Sequence, residues 1–201
     1  MNDYTEIKNP TKGFYKEKGS KFISYLFPVF SEEEVKEKLV KIKKIEHSAR
    51  HHCYAYIINS DKSEQRVNDD GEPSSTAGMP ILRQIQSNNL TNTLIIVARY
   101  FGGIKLGKNG LIRSYKQAAA DSISNGIILK KTTKEEYEVY FKFQEMNNVM
   151  RLIKENKLEV VNTNFKTDCS LIFTVSKNNS DSIVTKFKKN YKLKLKYLKT
   201  I

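Results

Sequence analysis

Two hydrophobic periods, one of two residues and one of about 3.6, alternate along the 201-residue chain, and the switches between them mark its elements. Residues 21–29 contain FISYLFPV and predict a strand; the residues before them show no sustained pattern and are expected to be loosely ordered. Ser31 precedes Glu34 by three, the spacing of a capping box, and Val35, Leu39, Ile42 and Ile45 then recur at helical intervals. Residues 50–58 (RHHCYAYII) predict a second strand, residues 59–76 are polar, and a short helix from about Pro80 turns Ile81, Leu82 and Ile85 toward a core. Residues 93–100 (TLIIVARY) are apolar without alternation, the pattern of a strand buried on both faces. After a glycine-rich turn, Leu111, Tyr115, Ala118, Ala119 and Ser122 line one face of a helix ending near Gly126. Strands alternating with helices predict an α/β domain over residues 1–131.

The texture changes near residues 130–134. Residues 136–143 predict a strand, and Met146, Val149, Met150 and Ile153 fall at i, i+3, i+4 and i+7 of a helix. Two strands follow at 158–165 and 169–175 with a turn near 166–168, then a helix over 180–190 carrying Ile183 and Phe187, then a strand over 191–198. The order strand, helix, strand, strand, helix, strand predicts a ferredoxin-like domain over residues 132–201.

Composition narrows the classes of function. With 39% hydrophobic and 28% charged residues the chain has enough apolar material for one large or two modest cores. Its apolar runs, such as residues 94–98, are far short of the roughly 20 residues of a membrane helix, and the opening MNDYTEIKNP has no apolar signal core; a cytoplasmic protein is expected. Cys53 and Cys169 are expected to be reduced structural thiols. The net charge of +13 divides into +7 over residues 1–132 and +6 over 133–201, so neither half is a basic tail. Such a field attracts RNA, DNA or acidic protein surfaces, although an AT-rich genome also enriches Lys.

Six of the nine glycines (71, 78, 102, 103, 107 and 110) fall in two turns, which makes those turns the candidates for chemistry. The first, NDDGEPSSTAGMP over residues 68–80, crowds Asp69, Asp70 and Glu72 with Ser74, Ser75 and Thr76 ahead of a helix. Its carboxylates would bind a cation or do proton work with His52, or they would satisfy backbone donors as Asx-turns and helix caps. The spacing fits neither an EF-hand nor an HExxH site, so no metal and no cofactor is expected.

The second turn, residues 99–115 (RYFGGIKLGKNGLIRSY), follows the buried strand and opens a helix. Gly102 to Lys108 fits GxxxxGK, but Asn109 stands where a P-loop needs Ser or Thr, which argues against an NTPase. Bare glycine backbone at Gly102, Gly103, Gly107 and Gly110, together with Arg99, Lys105, Lys108 and Arg113, would still hold a phosphate; a purely structural turn is the alternative. His51 and Cys53 share one face of their strand and His52 the other, so metal binding or Cys–His catalysis is not expected there. In the last strand Lys192, Lys194 and Lys196 alternate with apolar residues and would ride on a phosphate backbone, with Tyr140 beside them, or protect a sheet edge.

The peptides HSARHHCYAY (47–56), NDDGEPSSTAGMP (68–80) and ARYFGGIKLGKNGLIRSY (98–115) resemble, in this order, the IMPACT / YigZ family. Its motif residues here are His52, Asp69, Asp70, Gly71, Glu72, Pro73, Thr76, Gly78, Arg99, Tyr100, Gly102, Gly103, Leu106, Gly107, Gly110 and Tyr115. The resemblance implies an α+β chain: a ribosomal protein S5 domain 2-like α/β sandwich followed by a ferredoxin-like βαββαβ domain, a pair similar to domains IV and V of elongation factor G. It implies contact with RNA or the ribosome, regulation of translation without catalysis, and a translation-related protein partner. Eukaryotic relatives compete for the activator of an initiation-factor kinase and carry an additional N-terminal RWD domain. The residues before Lys21 are too few for one, so that competition is not expected here. The rival expectation is an enzyme on a phosphorylated or nucleotide-like small molecule, with Asp69, Asp70, Glu72 and His52 as its working groups and the glycine turn holding phosphate.

Overall fold

Leu94, Ile95, Ile96 and Val97 are fully buried, and the larger part of the chain is built around the strand that carries them. The computed structural model describes residues 3–165 and 169–201 and divides the chain into two units, Tyr4–Lys131 and Thr132–Ile201, with Asp3 at the start of β1 and Thr132 at the end of β7 counted in the second. In the first, β1 (Asp3–Ile7), β2 (Thr11–Glu17) and β3 (Ser20–Pro28) lead into α1 (Glu32–Ile45). Next come β4 (His51–Ile58), β5 (Glu64–Asn68), α2 (Gly78–Ser87), β6 (Thr93–Tyr100), α3 (Gly107–Ser124) and β7 (Ile128–Thr132). The main sheet has the order β2-β3-β6-β4-β5, with antiparallel pairs throughout, while β1 pairs with β7.

β6 is apolar on both faces because both are covered. Ile95 and Val97 pack with Phe22, Leu26, Cys53, Ala55 and Ile57 under α2 and α3. Leu94 and Ile96 pack with Tyr25, Phe27, Tyr56 and Ile58 against Val35 and Ile42 of α1. The capping signal at Ser31 is real: its side chain accepts from the Glu34 amide, and the Glu34 carboxylate reaches back to the Phe30 amide.

The opening segment is a correction, since β1 and β2 occupy residues expected to be loose. Glycine hides this strand from hydropathy. A Cβ at Gly13 would stand 2.3 Å from the Ser122 amide nitrogen, so β2 lies directly on the end of α3 and is held there by Thr11 and by the Asp121 carboxylate. β5 and β7 were equally masked by polar, exposed positions.

The second unit contains β8 (Lys134–Phe141), α4 (Met146–Glu155), β9 (Glu159–Phe165), β10 (Cys169–Ser176), α5 (Ser180–Lys188) and β11 (Lys194–Thr200). Its sheet order is β11-β8-β10-β9, all antiparallel, the split βαβ arrangement of a ferredoxin-like fold. Val139, Leu171, Phe173, Val149 and Phe187 form its core. The turn placed at residues 166–168 lies outside the described residues. The last strand starts later than expected: Tyr191 is 87% exposed and precedes it, and a register shift between Tyr197 and Lys199 breaks the alternation.

Candidate anion-binding cleft

Both glycine turns meet at one end of the main sheet, and polar anchors hold each in place. The chain leaves β5 through Asp70 (φ 41°) and Gly71 (φ 87°), left-handed positions that reverse its direction. The Asp70 carboxylate accepts from the His52 amide at 2.6 Å, and the Asn68 side chain accepts from the Asp70 amide, an Asx-turn. Ala77 at the start of α2 has no capping side chain. Asp69 supplies the cap from a distance, its carboxylate accepting from the amides of Ser75, Ala77 and Gly78 at 2.8–3.0 Å. Thr76 donates to the Pro73 carbonyl, Ser75 sits at φ 63°, and Ser74 is exposed.

Glu72 turns inward. Its Oε1 accepts from Arg99 Nη1 at 2.6 Å and from the Tyr115 hydroxyl at 2.8 Å, with only 3% of the Glu72 side chain and 8% of the Arg99 side chain exposed. Cys53 Sγ donates to Tyr115, completing a buried chain from β4 through α3 to β6. Burial pushes the Tyr115 hydroxyl well above its ordinary range, and Cys53 and Glu72 beside it add to the rise. Burial raises the Cys53 thiol as well. Both groups are therefore neutral donors at neutral pH.

Beside this chain lies a cleft of about 310 Å³ whose lining includes Arg99, Phe101, Lys105, Gly107 and Lys108 together with Glu72 and apolar walls. Arg99 Nε is buried with no hydrogen-bond partner. A buried, unpaired donor on a charged group costs on the order of 1–3 kcal/mol, which an anion reaching the guanidinium would offset. Its planar fork suits an oxyanion. Lys105 and Lys108 are exposed at the rim, and Leu106 leaves the first turn of α3 without a side-chain cap, so amides at Gly107 and the next positions face outward with the positive end of the helix dipole. Gly107 (φ 68°) and Gly103 (φ 88°) need glycine for backbone conformation, and a Cβ at either would meet open space.

The structure thus brings Arg99, Lys105, Gly107, Lys108 and Glu72 together and leaves the other expected residues elsewhere. Gly102 is packing, not cradle: a Cβ there would come within 1.9 Å of Gly19, and its amide is taken by the Ser20 hydroxyl. Gly110 lies within α3, its carbonyl accepting from Ser114. Arg113 pairs with Glu17 at 2.7 Å and does not line the cleft. In the second unit, Lys192 precedes β11 and pairs with Glu145 at 3.2 Å. Lys194 stands opposite Tyr140 and Lys196 opposite Glu138, so β8 supplies carboxylates to the lysine row and weakens its field.

The carboxylate set expected of an enzyme does not converge. Of Asp69, Asp70, Glu72 and His52, only His52 and Asp70 lie together, His52 Nδ1 3.9 Å from Asp70 Oδ2 with Lys43 at 3.7 Å from Oδ1; His52 is buried on the α1 side, its Nε2 against the Glu46 carbonyl, while Glu72 is held by Arg99 and Tyr115 and Asp69 is spent on the cap. Tyr100 also points to the α1 side and donates to Glu46, as does Tyr25. Among the described residues no group of three or more His, Cys, Asp or Glu side chains is placed to hold a metal ion, and no helix is long and apolar enough to cross a membrane.

Sequence reasoning passed over Phe101. Its ring is 42% exposed, with the guanidinium carbons of Arg99 and Arg50 each 5.8 Å from its centroid. An aromatic residue immediately after a strand with both faces apolar, with arginines at 50 and 99, was the available signal.

Known proteins resemble this chain in fold and in sequence. A solved structure of a hypothetical protein superposes with a TM-score of 0.71 over 99% of this chain and 98% of its own, at 23% identity, which establishes the fold. YvyE of Bacillus subtilis, an IMPACT family member, is 44% identical over 113 residues; the match covers 56% of this chain and 52% of YvyE, about half the length of that relative. An IMPACT family member of Haemophilus influenzae is 32% identical over 164 residues, 79% of this chain and 78% of that protein. The family model described as the Impact N-terminal domain matches residues 18–123. That span exceeds half of the chain and contains both glycine turns and the strand between them, so the chain belongs to the IMPACT family.

Proposed function

We propose that this chain is a cytoplasmic, non-catalytic RNA- or ribosome-associated protein that regulates translation and holds RNA phosphate in the Arg99 cleft. One observation carries the reading: a buried guanidinium with an unpartnered donor lines a cleft rimmed by two exposed lysines at an uncapped helix start. The net charge of +13 supports a polyanionic partner. The commitment of Asp69 and Asp70 to backbone amides, and of Glu72 to Arg99 and Tyr115, favours a binding role over proton or metal chemistry.

The test is binding of single-stranded RNA across a salt series. Affinity should fall steeply with salt, and Lys105→Gln with Lys108→Gln should flatten the log–log slope by about 1.4, the loss expected for two phosphate contacts. Arg113→Gln and Lys36→Gln should change it little. Equal losses for the cleft pair and for those controls would leave only diffuse charge and refute the reading. Pull-down from lysate with and without nuclease then separates an RNA-bridged partner from a direct protein partner.

A further inference from the structure

The shape and charge of the cleft say more than that it attracts phosphate. A protein that tracks a nucleic-acid strand needs an extended cationic groove. Here the opening is a short, half-open cleft of about 310 Å³, at the small end of the range for small-molecule sites, and much of its wall is apolar: Pro73, Phe101, Leu106 and Leu111. Its charged lining is Arg99, Lys105 and Lys108 against Glu72, an excess of two positive charges. A phosphate monoester carries about 1.5 to 2 negative charges at neutral pH, whereas each internal diester of a strand carries about one. The apolar wall suits a base, and bases stack on aromatic rings and guanidinium planes, both present in the neighbouring Phe101 and Arg50.

We infer that the cleft takes one nucleotide bearing a terminal phosphate monoester, its phosphate at Arg99, Lys105, Lys108 and the first amides of α3 and its base against Phe101. This rests on the phosphate-binding reading above and specifies the chemistry of that site. The ligand is either the 5′ end of an RNA or a free mononucleotide, which share this chemistry.

The experiment measures binding of one short RNA sequence with a 5′-phosphate or a 5′-hydroxyl, and competition by the matching nucleoside monophosphate, nucleoside and inorganic phosphate. The 5′-phosphorylated RNA should bind about tenfold tighter, the worth of one added charge-assisted contact set, and the monophosphate should displace it while the nucleoside does not. Phe101→Ala should weaken the monophosphate but not inorganic phosphate. Lys105→Gln should reduce the 5′-phosphate preference severalfold, an unchanged preference counting against the inference, and neither substitution removes a core side chain. Equal affinity for the two RNA forms without competition by the monophosphate overturns the inference and leaves RNA binding standing. Monophosphate binding without RNA binding upholds the terminal-phosphate chemistry, assigns it to a free nucleotide and overturns the RNA reading. Binding by neither overturns both.

Discussion

Replacing Glu72 by Gln isolates the interaction that ties the two glycine turns together. The substitution keeps shape and an acceptor oxygen for Arg99 and Tyr115, but removes the charge opposite a guanidinium that is 8% exposed and cannot deprotonate. Removing one partner of a buried ion pair costs about 3–5 kcal/mol, and the hydrogen bonds that Gln retains offset roughly 1 kcal/mol. The net loss is therefore about 2–4 kcal/mol, or on the order of 10 °C in the transition of the larger unit. The chain has eleven Tyr and no Trp, so urea and thermal unfolding are followed by tyrosine fluorescence and far-UV circular dichroism. Arg99→Met with Glu72→Gln removes the orphaned charge as well, and this double variant should be more stable than Glu72→Gln alone. Phosphate should stabilise Glu72→Gln more than the parent, at matched ionic strength, because an anion then takes the carboxylate's place. A loss below about 1 kcal/mol, or a double variant that costs the sum of the two single ones, refutes the argument.

Three further outcomes follow from the same geometry. Both cysteines are buried and Cys53 is held as a neutral thiol, so iodoacetamide at pH 8 should leave the native chain unmodified by mass spectrometry and label two thiols after denaturation. Gly102→Ala should lower the urea midpoint by more than Gly103→Ala: the first drives a Cβ into the Gly19 backbone, at about 1–3 kcal/mol for overpacking, whereas the second strains only a left-handed φ, at about 1 kcal/mol. Burial alone would raise the Glu46 carboxyl, but hydrogen bonds from Tyr100 and Tyr25 outweigh it and hold the group below the usual carboxylate range. Its folded value lies below its unfolded one, so the stability it contributes is full above the unfolded value and is lost as pH falls through the folded value; the difference between parent and Glu46→Gln, read by urea unfolding from pH 7 to pH 3, should shrink.

The elements legible in the sequence were those whose hydrophobic pattern is strong. β6 announced itself because both of its faces are buried, and α1 because its cap and apolar stripe agree. What stayed hidden was governed by contacts made across the chain. β2 is held by a glycine that admits the backbone of Ser122, which a hydropathy pattern cannot register. The cleft was half legible: Arg99, Lys105, Gly107 and Lys108 stood in one peptide, but that Arg113 would turn to Glu17, 96 residues away in sequence, depends on a strand that was not foreseen. The carboxylates of the first turn carried two meanings from the start. Asp69 as a distant cap for α2 and Glu72 as the partner of Arg99 are structural answers to a physical problem, because a turn so poor in apolar side chains has little but polar anchors to fix it.

That anchoring divides the work of the cleft. Arg99 is fixed on one side by Glu72 and flanked by the rings of Phe22 and Phe101, so much of its side-chain entropy, of order 1–2 kcal/mol, is already lost before any ligand arrives. A contact to that guanidinium is therefore made without a further ordering cost and depends on the ligand's geometry. Lys105 and Lys108 are exposed and keep their rotamer freedom, so each direct contact they make is weaker, while their charge still acts at a distance of about one Debye length. The lysines accordingly set how fast an anion arrives and how strongly salt opposes it, and the Arg99–Phe101 wall sets how long the right one stays. A single fixed cation with an apolar wall selects for shape as well as charge, which is why a short cleft with two exposed lysines fits a defined phosphate-bearing group better than an indefinite length of backbone.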